Sequence, residues 1–413
     1  MTSTPTKQRK GAVKSQAKFE PEVFRNSLYK YFETIQPGDW DGYLNSLDKA
    51  GNTLDYRKYA DQLIEILIVG GLLAPGGAFV DDGSPRSPFS IFAAESEKVE
   101  DVRPYVDVIE KMIRRYKFLQ KPLEESTLQG IIQYINRFAP EQVLKLAVAT
   151  ALAMQMGLVN ASVLAPLQKD HLTKDGLALQ FVTQLFRAYL KGQSMEHLGS
   201  ILRKGGIRDW VLFFPQTKRA GDVVVAHFKS DDVQLPQVAD YYTKRQNKML
   251  REQTAADLAQ AISGGESTQE EMLVLLQERC KTLGQSVEDF VVVVWEGIMR
   301  GTDAQTKHDQ IELIFPKEVA RLAPLLQPWA SNARAEIALI NAIQLHCYTD
   351  TRLLKTFANL LKVLYNENVL SDQAIVYWAH KGAKPQGKEH FLKQAEPLVQ
   401  FLESQDSDDD DDE

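Results

Sequence analysis

Cysteine is almost missing from this chain: Cys280 and Cys347 are the only two among 413 residues. They stand far apart with no Cys-x-x-Cys pair. That excludes a disulfide-stapled scaffold and makes a multi-cysteine zinc site arithmetically impossible. A reducing compartment fits this usage best. Apolar residues make up 44% and charged residues 25%, a balance that excludes a wholly disordered chain and a fibrous repeat. The length exceeds what one hydrophobic core usually covers, so two or three units are expected.

Long hydrophobic runs are scarce too. Ile66 to Val80 is short and broken by Gly70-Gly71, Pro75 and Gly76-Gly77. Leu146 to Gln168 is long enough to span a bilayer, but it is mostly alanine and carries Thr150, Gln155, Asn160, Ser162 and Pro166. It reads as a buried helix, a turn near 157–160 and the start of another helix, with no membrane span expected. The first twenty residues have neither the apolar core of a secretory signal nor the apolar face of a transit helix. A cytoplasmic location is the expectation, which leaves the sequon Asn160-Ala161-Ser162 idle.

The net charge of −7 is unevenly held. Residues 403–413 contain Glu403, Asp406, Asp408, Asp409, Asp410, Asp411, Asp412 and Glu413; without these eight charges the chain stands at +1. Residues 1–18 hold Lys7, Arg9, Lys10, Lys14 and Lys18 and no acid. The expectation is a disordered basic head, a near-balanced body from 19 to 402 and an acidic tail. Blocks of like charge stay solvated, and they commonly serve as interaction tails.

Helical periodicity runs from about residue 20 onward. Tyr59, Leu63, Ile66 and Leu67 form an apolar stripe that ends at Gly70-Gly71. Residues 75–91 read as a Gly/Pro/Ser loop. Further helices are predicted near 99–119, 122–137, 140–156, 162–169, 172–190, 193–204 and 206–213. Val223 to Phe228 alternates briefly, as a strand would. A boundary is placed in the looser stretch 216–240. After it come helices near 240–262, 268–283, 286–300, 303–314, 316–327, 331–348, 350–364, 371–381 and 388–402. Short helices joined by short turns predict an all-α fold of two stacked helical-hairpin (HEAT-like or armadillo-like) units, 19–239 and 240–402. No leucine heptad persists beside the basic head, so a coiled coil is excluded.

Enzyme motifs are poor. Gly382-Ala-Lys-Pro-Gln-Gly387-Lys388-Glu389 matches the phosphate-loop spacing, but it lacks the Ser/Thr that would hold magnesium and follows a helix instead of a strand. A linker between helices is the simpler reading. The seven histidines never take ligand spacing, and no Gly-x-Ser-x-Gly elbow occurs. No catalytic residue, metal or cofactor is expected. Lys111, Arg114, Arg115 and Lys117 cluster with Tyr116 and Phe118. On a helix the first three share a face, which suits RNA phosphates or an acidic partner and equally suits a solvated face. Lys244, Arg245, Lys248 and Arg251 admit the same two readings.

The C-terminus is the most informative region. Leu370, Ala374, Tyr377 and Trp378 fall at offsets 0, 4, 7 and 8, with Ser371 as a candidate N-cap, Asp372 in the first turn and Glu367 on the other flank. Leu398, Phe401 and Leu402 repeat the theme before the acids begin. An aromatic and acidic surface beside a polyanion suits a lysine-rich partner: the acids steer and select, and aromatic area anchors. Core packing of Trp378 and Phe401 is the competing reading.

That pattern, YNENVLSDQAIVYWAHKG at 365–382 and PLVQFLESQDSDDDDDE at 397–413, resembles the acidic/aromatic boxes of the W-two domain. The stretches LDYRKYADQLIEILIVGGLLAPGG at 54–77 and KMIRRYKFLQK at 111–121 extend the likeness across nearly the whole chain, to the basic leucine zipper and W-two domain proteins, also called factor-five mimics. The family's second box usually reads aromatic-x-x-Trp-Leu; here Phe401 stands in place of that Trp, keeping an aromatic but losing the indole N–H. The resemblance implies a non-catalytic regulator of translation initiation. Its partners would be lysine-rich segments of the initiation factor two beta subunit and initiation factor three, in the setting of the pre-initiation complex and in competition with factor five. Ser407 before Asp408, Asp409 and Asp410 suits an acid-directed kinase, whose phosphate would add about 1.5 to 2 negative charges.

Overall fold

Gly, Pro and capping residues cut the chain into helices joined by tight turns. The structure, a computed structural model, describes residues 18–303 and 311–409, with side chains described over 18–302 and 311–405. Two compact units divide between Tyr242 and Thr243. Among the described residues there is no strand, only an isolated antiparallel bridge between Leu73 and Phe79.

The longer helices of the first unit are α1 (Pro21–Phe32), α2 (Trp40–Gly51), α3 (Ala60–Val69), α4 (Val99–Arg115), α5 (Pro140–Gln155), α6 (Leu177–Leu190), α7 (Met195–Lys204) and α8 (Gly221–Lys229). The alanine-rich run becomes α5, which packs against both α4 and α6 and is buried on nearly every side, as a helix apolar all round must be. Asn160 then caps the following 3₁₀ turns, Ala161–Gln168. Gly70 takes the left-handed conformation, φ +82°, that ends α3.

Helix α9 (Pro236–Gly264) runs through the division at 242. The second unit continues with α10 (Gln269–Leu283), α11 (Val287–Asp303), α12 (Ile311–Leu322), α13 (Ala333–Thr349), α14 (Phe357–Asn366), α15 (Asp372–Tyr377) and α16 (Lys388–Asp409). They stack in two rows: α11 on α13 on α15, and α12 on α14 on α16. Glycine sets the approach of α9 to α11. A Cβ at Gly297 would sit 2.7 Å from Leu258, and one at Gly301 would sit 2.8 Å from Ile262.

Several expectations need correction. Val223 to Phe228 is helical, within α8: Val224 and Phe228, four apart, are the residues buried, so the period is helical. The stretch 216–240 is therefore mostly helix. Pro316 lies inside α12 and does not end it; buried Phe315, Val319 and Leu322 hold the helix across the lost hydrogen bond. The helix expected at 122–137 runs to Gln133 with a wide π turn, Leu123–Thr127, inside it, and a 3₁₀ turn follows at Ile135–Arg137; Trp210–Phe213 is 3₁₀. Most relevant to function, α16 continues through the start of the acidic stretch as far as Asp409.

Candidate functional site

The two C-terminal boxes lie on α15, the wide π turn Trp378–Gly382 that follows it, and α16. Ser371 caps α15 by accepting from the Ala374 amide at 3.2 Å, and Asp372 opens the first turn, both as expected. A third group holds this start. Glu336 on α13 accepts from the Ser371 N–H at 2.6 Å and from its hydroxyl at 2.7 Å. Glu367 closes α14, and its carbonyl accepts from Gln327 at 2.8 Å.

Trp378 is fully buried, so its place among residues touching a partner is withdrawn. Its ring packs on Phe357 with centroids 5.0 Å apart, and its indole N–H donates to Gln344 Oε1 at 3.1 Å. Gln344, itself buried, also donates to the carbonyls of Lys384 and Gln386 at 2.8 and 2.7 Å and accepts from the Lys384 amide at 3.2 Å. One side chain thus ties the tryptophan plug to the loop 383–387. That loop is the phosphate-loop lookalike. Its Lys384 N–H is engaged by Gln344 and it follows a helical turn, so it is a connector.

Phe401 has the opposite fate. It is 53% exposed, so the reading of Phe401 as a core plug is corrected. The buried line of α16 is Phe391, Ala395, Val399 and Leu402. Residues 401 and 402 lie 100° apart on a helix, so Leu402 turns inward and Phe401 outward. Tyr377, beside Trp378, is likewise 53% exposed. Each box therefore presents one aromatic ring to solvent. Phe401 borders an open groove of ≈480 Å³ between α14 and α16, with Lys362, Tyr365, Pro397 and Leu398 among its walls.

A direct contact joins the boxes: His380, on the wide turn after Trp378, meets Glu403 Oε1 through Nε2 at 2.7 Å. Glu403 is exposed at the point where the acidic stretch begins. The backbone of Asp406, Ser407, Asp408 and Asp409 belongs to α16, but their side chains lie outside those described; Asp410, Asp411, Asp412 and Glu413 lie wholly outside the described residues. Sequence reasoning missed Glu336, Gln344 and His380. The only linear signal for Gln344 was an amide, one of two with Asn341, in the apolar run IALINAIQLHCY.

The basic stripe in the first unit is less cationic than it reads. Arg114 pairs with Glu110 at 2.6 Å and Arg115 with Asp48 at 2.6 Å. Lys111 and Lys117 are exposed. Helix α4 ends at Arg115, so Phe118 does not continue its face; instead it receives the Arg57 guanidinium at 4.3 Å. Among the described residues no group of three side chains is poised to hold a metal, and no helix is long and apolar enough to cross a membrane. Burial pushes the Cys347 thiol up to about 12, which makes it a core residue and not a nucleophile.

Comparison with known proteins places this geometry. A family model described as the 5MP1/2 HEAT domain matches residues 6–252, and one described as eIF4-gamma/eIF5/eIF2-epsilon, the W2 domain, matches residues 335–412. Protein krasavietz of Drosophila melanogaster is 33% identical over 392 residues, covering 94% of this chain and 91% of that protein. The eIF5-mimic protein 2-A of Danio rerio is 30% identical over 389 residues, covering 94% and 91%. The eIF5-mimic protein 1 of Homo sapiens is 30% identical over 390 residues, covering 94% and 92%.

Proposed function

The chain belongs to the eIF5-mimic family of translation-initiation regulators, and from that premise we propose that it acts without catalysis by capturing lysine-rich protein segments. The capturing surface is the joined pair of boxes: Asp372, Glu367 and Glu403 with the exposed rings of Tyr377 and Phe401, extended by the acids from 406 to 413. Its targets are the lysine-rich segments of the initiation factor two beta subunit, with initiation factor three as a second partner in the cytoplasm. Holding those sites, the chain competes with factor five and tunes start-codon selection.

The observation that carries this reading is the His380–Glu403 contact. It sets Glu403, where the acidic stretch begins, against the first box with its exposed Tyr377, while Phe401, two residues back and so about 200° round α16, offers its ring on the other flank. Long-range attraction raises the encounter rate of a cationic segment, and a desolvated ring supplies the anchor. Factor five's activating module is excluded by composition. Resemblance assigns it a four-cysteine zinc site, and this chain has two cysteines.

The test is a titration of the whole protein, and of a version ending at Leu402, with the lysine-rich segment at two salt concentrations. Salt-sensitive binding that weakens without residues 403–413 is expected. Binding by neither form removes the proposal. Phosphorylated Ser407 should tighten capture, and equal affinities with and without phosphate would dismiss that refinement.

A further inference from the structure

The chain carries two basic sets, and the fold treats them differently. In the set at the end of α4, Arg114 and Arg115 are held by carboxylates, Glu110 and Asp48. On α9 no acid occurs from Tyr241 to Arg251. Lys244, Arg245 and Lys248 make no ion pair or hydrogen bond among the described residues. The next acid, Glu252, is engaged by Arg300 at 2.7 Å, with Lys248 adding only longer-range attraction. Arg251 closes the set and touches Asp289 of α11 at 3.6 Å.

The register of α9 makes the contrast sharper. Lys244, Lys248, Arg251, Ala255, Leu258 and Ile262 are spaced alternately four and three residues, so they form one line along the helix. Ala255, Leu258 and Ile262 are buried, the last two against Gly297 and Gly301 of α11. From Thr243 to Leu250 no residue is buried. The line that serves as core in one half of α9 is thus solvated and cationic in the other.

We propose that Lys244, Arg245 and Lys248, with Arg251 at the end of the line, form a contact track for the phosphate backbone of RNA. Protein interfaces rely on an apolar or aromatic anchor and are depleted in lysine. Here the exposed large apolar side chain is Met249, and Tyr242 is buried. Phosphate contacts need point charges and no anchor. Lys244 to Arg251 spans about 10 Å of helix, over which one strand of a duplex presents about three phosphates. Among nucleic acids, RNA is the one a translation-initiation regulator meets. The track shares no residue with the lysine-capturing surface, so either reading can fail alone.

The experiment uses the full chain and a labelled oligouridylate of about 20 nucleotides, followed by fluorescence anisotropy between about 50 and 200 mM salt. The variant K244A/R245A/K248A should raise Kd about tenfold at low salt. It should also lower the slope of log affinity against log salt by about 2, at roughly 0.7 per lost single-strand phosphate contact. The charge-preserving K244R/R245K/K248R should restore both, and R114A/R115A should shift Kd by less than about twofold. All three positions on α9 are solvated, and matched unfolding midpoints check that the fold is kept. The proposal is overturned if the parent protein binds no RNA or if the alanine variant stays within about twofold of it. It is equally overturned if that variant keeps RNA but loses an oligoglutamate peptide held by the parent, which assigns the face to an acidic protein segment.

Discussion

The two C-terminal boxes have the same pattern in sequence and opposite roles in the fold. In each, apolar and aromatic residues at helical spacing stand beside acids. The first box seals its tryptophan: Trp378 is 0% exposed, packed at a tilt on Phe357 and bonded to Gln344. The second turns its phenylalanine to solvent, because Leu402 takes the inward position and no described helix covers the outer side of Phe401. An aromatic position in such a box is thus a statement about amphipathicity, and the neighbouring residue decides which ring is structural.

The largest effect that tests this contrast is on stability. Trp378→Ala should cost about 3–5 kcal/mol, read as a lower denaturant midpoint for the second unit. Replacing its partner, Gln344→Met, keeps the volume but strands the indole N–H, the Lys384 amide and two carbonyls. A loss of about 2–3 kcal/mol is expected, with residues 383–387 gaining hydrogen exchange. A Gln344→Met protein as stable as its parent would show that the loop does not depend on the plug.

Much of this architecture is legible in the linear sequence. The stop at Gly70, the cap at Ser371 and the alanine-rich core helix α5 follow from local rules, because each is decided by a residue's own conformational preference or by periodicity. The outward turn of Phe401 was not legible, since offsets 0, 3 and 4 leave a 100° ambiguity that only packing resolves. Nor were the Arg115–Asp48 pair, 67 residues apart, and the His380–Glu403 contact, 23 apart. Long-range pairings are set by which helices stack, and the chain shows no literal repeat from which to read that.

The first unit offers a sharper version of the buried-polar comparison. There a carboxylate does what the neutral Gln344 does in the second: Glu65 accepts from the Leu73 amide at 3.2 Å and ties α3 to the loop that follows. Burial raises its pKa from the ordinary 4.5 to about 7, with the Leu73 amide opposing. A raised carboxyl means the folded state holds the extra proton between those values. Its favourable contribution is therefore complete below about 4.5 and is lost as pH rises through about 7. Glu65→Gln keeps the acceptor and should stabilise the protein by about 2 kcal/mol at pH 8, a gap that closes near pH 4.5. A constant gap across that range would mean Glu65 is ionised throughout.

The smallest stability effect should fall on the exposed ring, and there the comparison turns toward binding. Phe401→Ala should change stability by less than about 1 kcal/mol, because about half of the ring stays in water and its removal leaves no enclosed cavity. On the capture reading it should weaken a lysine-rich segment by about 1 kcal/mol, roughly fivefold, since the anchor and not the fold is lost. Phe401→Trp restores the residue usual at this position by resemblance and adds an indole N–H on a solvated face. It should leave stability unchanged and strengthen capture. If Phe401→Ala instead destabilises as strongly as Trp378→Ala, the second box is a plug like the first. Partner binding would then rest on the acids and Tyr377, and more of its affinity would be lost at high salt.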